Sequence, residues 1–70
     1  MWTIQPYTKF ALSQAYFPYA SYKTAARHLN RWIQNNRELS EELHRTGYDK
    51  NQRHFTSRQV ELIFSHLGEP

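Results

Sequence analysis

Four residues that favour helix N-termini each stand directly before a segment with helical apolar spacing, and this pattern constrains the fold most. The four capping residues are Thr8, Ser21, Asn36 and Thr56. The segments after them predict helices over residues 9–17, 22–35, 37–46 and 57–67. Pro18, Gly47 and Gly68 supply the ends of three of these helices. The chain is therefore expected to form one small, compact, mainly α domain of about four helices that spans residues 1–70.

The last helix has the clearest start. Thr56 and Gln59 have the spacing of a capping box, in which each side chain bonds the other residue's backbone N–H. Phe55 and Val60 flank the cap as a hydrophobic staple would. The face formed by Val60, Ile63, Phe64 and Leu67 then predicts a buried helix.

The second helix has two unlike faces. Its apolar arc contains Tyr22, Ala25, Ala26, Leu29 and Ile33, with Trp32 at the edge. Its opposite arc contains Lys23, Arg27, Asn30, Arg31 and Gln34. One face is expected to enter the core, and the other is polar, basic and rich in amides.

Two segments lack a helical pattern. Residues 2–5 alternate apolar and polar side chains, which predicts a short strand ended by Pro6. Residues 47–55 are turn-prone, and Tyr48 and Phe55 bracket them, so we expect a short hairpin or an extended loop. The aromatic residues expected in the core are Tyr16, Phe17, Trp32, Phe55 and Phe64.

The charges are divided unevenly along the chain. Residues 1–37 contain five basic and no acidic residues, a net charge of +5, and residues 38–70 contain four basic and six acidic residues, a net charge of −2. Lys23, Arg27 and Arg31 repeat every four residues, so they form one stripe on a helix. A basic stripe without neutralising acids is what a polyanion selects.

Most other functions are disfavoured by the residue types present. The absence of cysteine excludes disulfides and thiolate metal sites, and the four histidines have no metal-ligand spacing. Glu41 and Glu42 are adjacent and cannot face each other as an acid–base pair. We expect no catalytic residues, metal, cofactor or small-molecule ligand. With no membrane-spanning run and no signal peptide, the expected location is cytoplasmic.

A short helix, a tight connection and a longer basic helix form the helix-turn-helix arrangement, in which one helix enters the DNA major groove. Arginine can form two hydrogen bonds with the edge of guanine, and asparagine or glutamine can do the same with adenine. The residues expected to contact duplex DNA are Lys23, Thr24, Arg27, His28, Asn30, Arg31 and Gln34 from the helix, and Lys50 and Arg53 from the segment after Gly47.

Other interpretations remain open. The basic face can be merely solvated, or it can meet an acidic protein surface in an interaction adaptor or inhibitor, with aromatic residues as anchors. RNA binding is a less supported hypothesis, because no exposed strand presents a regular pair of aromatic residues for base stacking. A single module of this size binds DNA weakly, so use as a homodimer, on tandem sites or with a protein partner is expected.

The order of elements resembles the winged helix-turn-helix of MerR-type regulators and phage excisionases. Gly47-Tyr48, Arg53 and Phe55-Thr56 match the wing that leads into the next helix of those domains. The resemblance implies base contacts from the second helix and backbone contacts from Lys50 and Arg53. The chain departs from it by an added acidic helix over residues 37–46, and it lacks the long dimerisation helix and effector domain.

A second resemblance covers residues 7–70. The segments that carry it are Tyr16-Phe17-Pro18, the run 29–33, Gly47-Tyr48-Asp49, Phe55-Thr56 with Gln59-Val60, and the closing run 67–70. They are similar to the corresponding segments of a family of small uncharacterised proteins of gut anaerobes, a domain of unknown function. This likeness implies membership of that family and carries no activity. It is consistent with a small chromosomal or mobile-element regulator.

Overall fold

A computed structural model describes residues 2–70 and contains four helices and two short strands. In chain order the elements are β1 (Tyr7–Thr8), α1 (Lys9–Tyr16), α2 (Tyr22–Asn35), α3 (Arg37–Arg45), β2 (His54–Phe55) and α4 (Ser57–Leu67). The mainly α fold is confirmed, and the predicted helix boundaries agree with the observed ones to within one residue.

All four predicted caps form. The side chains of Thr8, Ser21, Asn36 and Thr56 accept hydrogen bonds from the backbone N–H groups of Ala11, Thr24, Leu39 and Gln59. The capping box between Thr56 and Gln59 is complete. Gly47 and Gly68 have φ angles of +85° and +81°, a region that favours glycine, just after the ends of α3 and α4.

Every helix contributes to one apolar core, together with β2. Its buried members are Leu12, Leu29, Ile33, Leu39, Leu43, Phe55, Val60, Leu62, Ile63 and Phe64. α4 supplies four of these ten residues, as expected of the helix with the clearest apolar face. The ring of Phe55 is fully buried and is the largest such side chain in the described part of the chain.

The predicted strand over residues 2–5 is wrong, and the strand lies after Pro6. β1 pairs antiparallel with β2, and Tyr7 lies opposite Phe55 and Thr8 opposite His54. Because β2 has only two residues, it pairs with no residue before Pro6, and Pro6 itself has no N–H to donate. Trp2 instead packs edge-on against Tyr7 and Phe64, at centroid distances of 5.5 Å and 6.5 Å, and covers the core from outside.

Of the two alternatives for residues 47–55, the structure has the loop. Residues 47–53, here called the 47–53 loop, connect α3 to β2. The strand at its end pairs with β1 near the start of the chain. The loop is thereby tied to the beginning of α1.

Two aromatic residues on the predicted apolar arc of α2 remain partly exposed. Trp32 is 42% exposed, because it lies at the edge of the apolar arc and packs on the rings of Tyr16 and Phe17. Tyr22, the first residue of α2, is 40% exposed. Its ring contacts the exposed Phe10, with the centroids 4.9 Å apart.

Candidate nucleic-acid interface

An open groove of about 610 Å³ lies between the outer face of α2 and the 47–53 loop. α2 lines it with Lys23, Arg27, Asn30, Arg31 and Gln34, and with Tyr22 and Ala26 on the inner side. The loop lines it with Lys50 and Asn51. We call this feature the basic groove.

The basic groove is positively charged. Four of its residues are cations, and no acidic residue lines it. The ion pairs within residues 2–70 lie on α3 and α4: Arg37 with Glu41, Arg58 with Glu61, and His66, when protonated, with Glu42. The basic groove is therefore the part of the described surface best suited to bind an anion.

Lys9 holds the 47–53 loop beside α2. The residue is only 6% exposed, and its Nζ donates a hydrogen bond of 2.5 Å to the carbonyl oxygen of Lys50. Its backbone N–H donates to the carbonyl oxygen of Arg53 at 2.7 Å. Burial lowers the pKa of Lys9, and the nearby charge of Asp49 partly opposes this effect. Sequence reasoning counted this residue only as one of the early cations.

Aromatic rings surround the Lys9 ammonium group. Its Nζ lies 5.5 Å from the ring centroid of Tyr48 and 5.6 Å from that of Phe55, within the range of cation–π attraction. The two rings are stacked, with an interplanar angle of 11°. Their attraction for the ammonium group offsets part of the hydration free energy that this cation loses on burial.

Gln59 fixes the other end of the loop. This residue is 2% exposed, and its Oε1 accepts hydrogen bonds from the backbone N–H of Thr56 at 3.0 Å and from Nε2 of Gln52 at 2.7 Å. Its Nε2 donates to Oγ1 of Thr46 at 2.9 Å. One side chain thus joins the start of α4 to the end of α3 and to the loop.

Asn30 is already bonded to the interior of the protein. Its Oδ1 accepts hydrogen bonds from the hydroxyl of Tyr48 at 3.3 Å and from Nζ of Lys9 at 3.4 Å. Burial, assisted by the charge of Asp49, raises the pKa of Tyr48 to about 12, so that hydroxyl keeps its proton at neutral pH. Asn30 therefore connects α2 to the residues that hold the loop.

The connection between α1 and α2 is also pinned. Nε2 of Gln14 donates hydrogen bonds to the carbonyl oxygens of Phe17, at 3.3 Å, and Ala20, at 2.8 Å. The backbone N–H of Ala20 closes the turn on the carbonyl oxygen of Phe17 at 3.2 Å. Three hydrogen bonds therefore fix the turn that precedes α2.

Six of the nine residues predicted to bind DNA meet at the basic groove: Lys23, Arg27, Asn30, Arg31, Gln34 and Lys50. The other three lie outside it. Thr24 accepts from the cap hydroxyl of Ser21 at 3.1 Å, His28 packs on the ring of Phe17, and Arg53 is exposed at the end of the loop. Asn51 was missed, and its only sequence signal is its place beside Lys50.

Two other kinds of site are absent from the described residues. No group of three or more histidine, aspartate or glutamate side chains in residues 2–70 is placed to hold a metal ion. Over the same residues, no helix is long and apolar enough to cross a membrane.

A comparison with protein-family models matches residues 3–70 of the chain to a domain of unknown function, DUF4248. No curated protein and no solved structure matches the chain. The family match covers nearly the whole chain and includes every residue of the basic groove. The chain therefore belongs to the DUF4248 family.

Proposed function

We propose that this protein is a sequence-preferring duplex-DNA-binding module that acts in the bacterial cytoplasm as a small transcriptional or mobile-element regulator. The observation that carries the proposal is the basic groove, where four cations from α2 and the 47–53 loop face solvent without a carboxylate partner. Phosphate contacts from unpaired lysine and arginine supply most of the affinity of such modules.

The shape of α2 supports major-groove binding. The helix has 14 residues and is therefore about 21 Å long. A major groove about 12 Å wide admits one such helix. Arg27, Asn30 and Arg31 would then face base edges, because the opposite face of α2 is buried in the core.

The order of elements supports a winged helix-turn-helix. α1, the pinned connection and α2 would be the helix-turn-helix, and the 47–53 loop would be the wing. Lys50 and Arg53 would contact the phosphate backbone beside the helix, on the side where the loop lies. α3, which carries Glu38, Glu41 and Glu42, would stay away from the DNA, since its charges repel phosphate.

The test is fluorescence anisotropy of labelled duplexes of about 25 base pairs at several salt concentrations. One duplex has random sequence, and the other is the DNA upstream of the protein's own gene. We expect micromolar or tighter binding that favours the upstream DNA. If about five cations contact phosphate, the slope of log affinity against log salt should be about −4 to −5. No binding to either duplex at low salt would overturn the proposal.

A second candidate is an interaction adaptor or inhibitor whose basic face meets an acidic protein. The exposed ring of Tyr19, beside Phe17 and His28 at the α1–α2 connection, favours this candidate, because such a ring can anchor a protein interface. Salt dependence would not separate the two functions. Dependence of affinity on DNA length and sequence supports the first and counts against the second.

A further inference from the structure

Asn30 offers the basic groove a donor and no free acceptor. Its Oδ1 lies within hydrogen-bond distance of Lys9 Nζ and of the Tyr48 hydroxyl. An ammonium group has no lone pair and can only donate, so the amide oxygen must face Lys9. The Nδ2 amino group is then the part of Asn30 left for a ligand in the groove.

This orientation excludes the usual asparagine contact with adenine. That contact needs the amide oxygen for the adenine N6 amino group and the amide nitrogen for N7. In Asn30 the oxygen is bonded to Lys9 and Tyr48 on the protein side. Arg27 and Arg31, its groove neighbours on α2, also have donors only.

Guanine is the base that matches these donors. In the major groove it presents two adjacent acceptors, O6 and N7, whereas adenine presents one acceptor and one donor, and thymine presents one acceptor beside a methyl group. We propose that Asn30 is a specificity-determining residue that donates through Nδ2 to guanine, and that Lys9 is the positioning residue that sets its orientation. The inference rests on the proposed function and names guanine-containing duplexes as its preferred ligands.

The experiment selects bound duplexes from a randomised 25-base-pair library, using the wild-type protein and Asn30→Ala. We expect at least one guanine in the wild-type consensus to lose its bias in Asn30→Ala. Replacing that guanine by 7-deazaguanine removes the N7 acceptor, and it should weaken wild-type binding about threefold to tenfold, the value of one hydrogen bond. The same replacement should leave the affinity of Asn30→Ala unchanged.

A second variant tests the orientation itself. Lys9→Met combined with Tyr48→Phe removes both donors to Oδ1, so the amide is free to turn. We expect this variant to accept adenine in place of that guanine, whereas the wild-type protein rejects it. A purely structural role for Lys9 would lower affinity for all sequences and would not exchange one base for the other.

The outcomes separate this inference from the proposed function. An unchanged consensus in Asn30→Ala, or an Asn30-dependent adenine in the wild-type consensus, would overturn the inference while duplex binding stands. Absence of wild-type binding to every duplex would overturn the proposed function, and the inference with it. If Asn30→Ala fails to fold, Asn30→Asp takes its place in both comparisons, because it keeps the side-chain size and the acceptor for Lys9 but removes the Nδ2 donor.

Discussion

The buried ammonium group of Lys9 donates a 2.5 Å hydrogen bond to the carbonyl oxygen of Lys50, so one lysine positions the backbone that presents another. Lys9 itself is inaccessible to a ligand, and Lys50 lines the basic groove. The width of the groove therefore depends on a residue that no ligand in it can touch. A substitution at Lys9 can therefore change ligand affinity only through the position of the loop, whereas a substitution at Lys50 removes a possible contact with the ligand.

Arg27 and Arg31 should contribute a large part of the sequence-specific DNA affinity. Replacing both with alanine should lower the affinity about 100-fold or more, because each arginine contact with a base contributes about 1–3 kcal/mol. Both side chains are exposed, so the free energy of unfolding should change by less than about 0.5 kcal/mol. Anisotropy measures the affinity, and urea denaturation measures the stability.

The matched control for that variant is Arg37→Ala with Arg58→Ala. This pair removes the same charge from α3 and α4, where each arginine is paired with a glutamate. The control should lower affinity much less than the double variant on α2. Equal losses in the two variants would mean that net charge, and not the basic groove, determines binding.

Lys9→Met should loosen the 47–53 loop. Loss of the bond to the Lys50 carbonyl should speed hydrogen exchange of the loop amides of Asn51 and Gln52, and DNA affinity should fall severalfold although Lys9 is buried. Lys23→Met is the control, since it removes an exposed groove lysine and should weaken binding with no change in loop exchange. Unchanged exchange in Lys9→Met would contradict the positioning role.

Gln59→Ala should destabilise the fold more than an ordinary cap substitution. It removes half of the capping box and leaves Thr46 and Gln52 without their buried partner. We expect a loss of about 2–3 kcal/mol, against about 1 kcal/mol for Ser21→Ala at the start of α2. Equal losses in urea denaturation would show that the bonds to Thr46 and Gln52 add no stability.

Stability should fall with rising pH between about 10.5 and 12. Burial raises the pKa values of Tyr16 and Tyr48 to about 12, so the folded state keeps protons that the unfolded state has released. The lowered pKa of Lys9 has the opposite effect on stability. Because the folded state holds this proton less tightly, its stability increases as pH rises towards 10.5, and above that pH the increase is complete. Both tyrosines are partly exposed, so the slope should be shallower than the full linkage value of about 1.4 kcal/mol per pH unit for each group.

Tyr48→Phe should make the alkaline decline less steep, as measured by urea denaturation at pH 10.5, 11 and 11.5. Tyr19→Phe, at the fully exposed Tyr19, is the matched control and should leave the decline unchanged. A Tyr48→Phe protein with the same pH dependence as the wild type would show that the Tyr48 hydroxyl does not titrate differently in the two states.

The elements that sequence reasoning predicted well are those set by local chemistry. The four caps depend on a side chain three residues from the N–H group it accepts from, and Gly47 and Gly68 adopt the conformations expected of them. The strand at Tyr7–Thr8 was misplaced, because its partner Phe55 lies 48 residues along the chain from Tyr7 and no local pattern specifies that pairing.

By itself, the sequence determined the number, limits and faces of the helices, and it placed the unbalanced cations on the outer face of α2. Those properties depend on neighbours within about one helical turn. Only the tertiary structure decided that Lys9 is buried, that Lys50 faces α2, and that the oxygen of Asn30 is already bonded. These contacts join residues far apart in the chain, such as Asn30 with Lys9 and Tyr48, 21 and 18 positions away. They form because packing the helices and β2 around Phe55 brings those positions together.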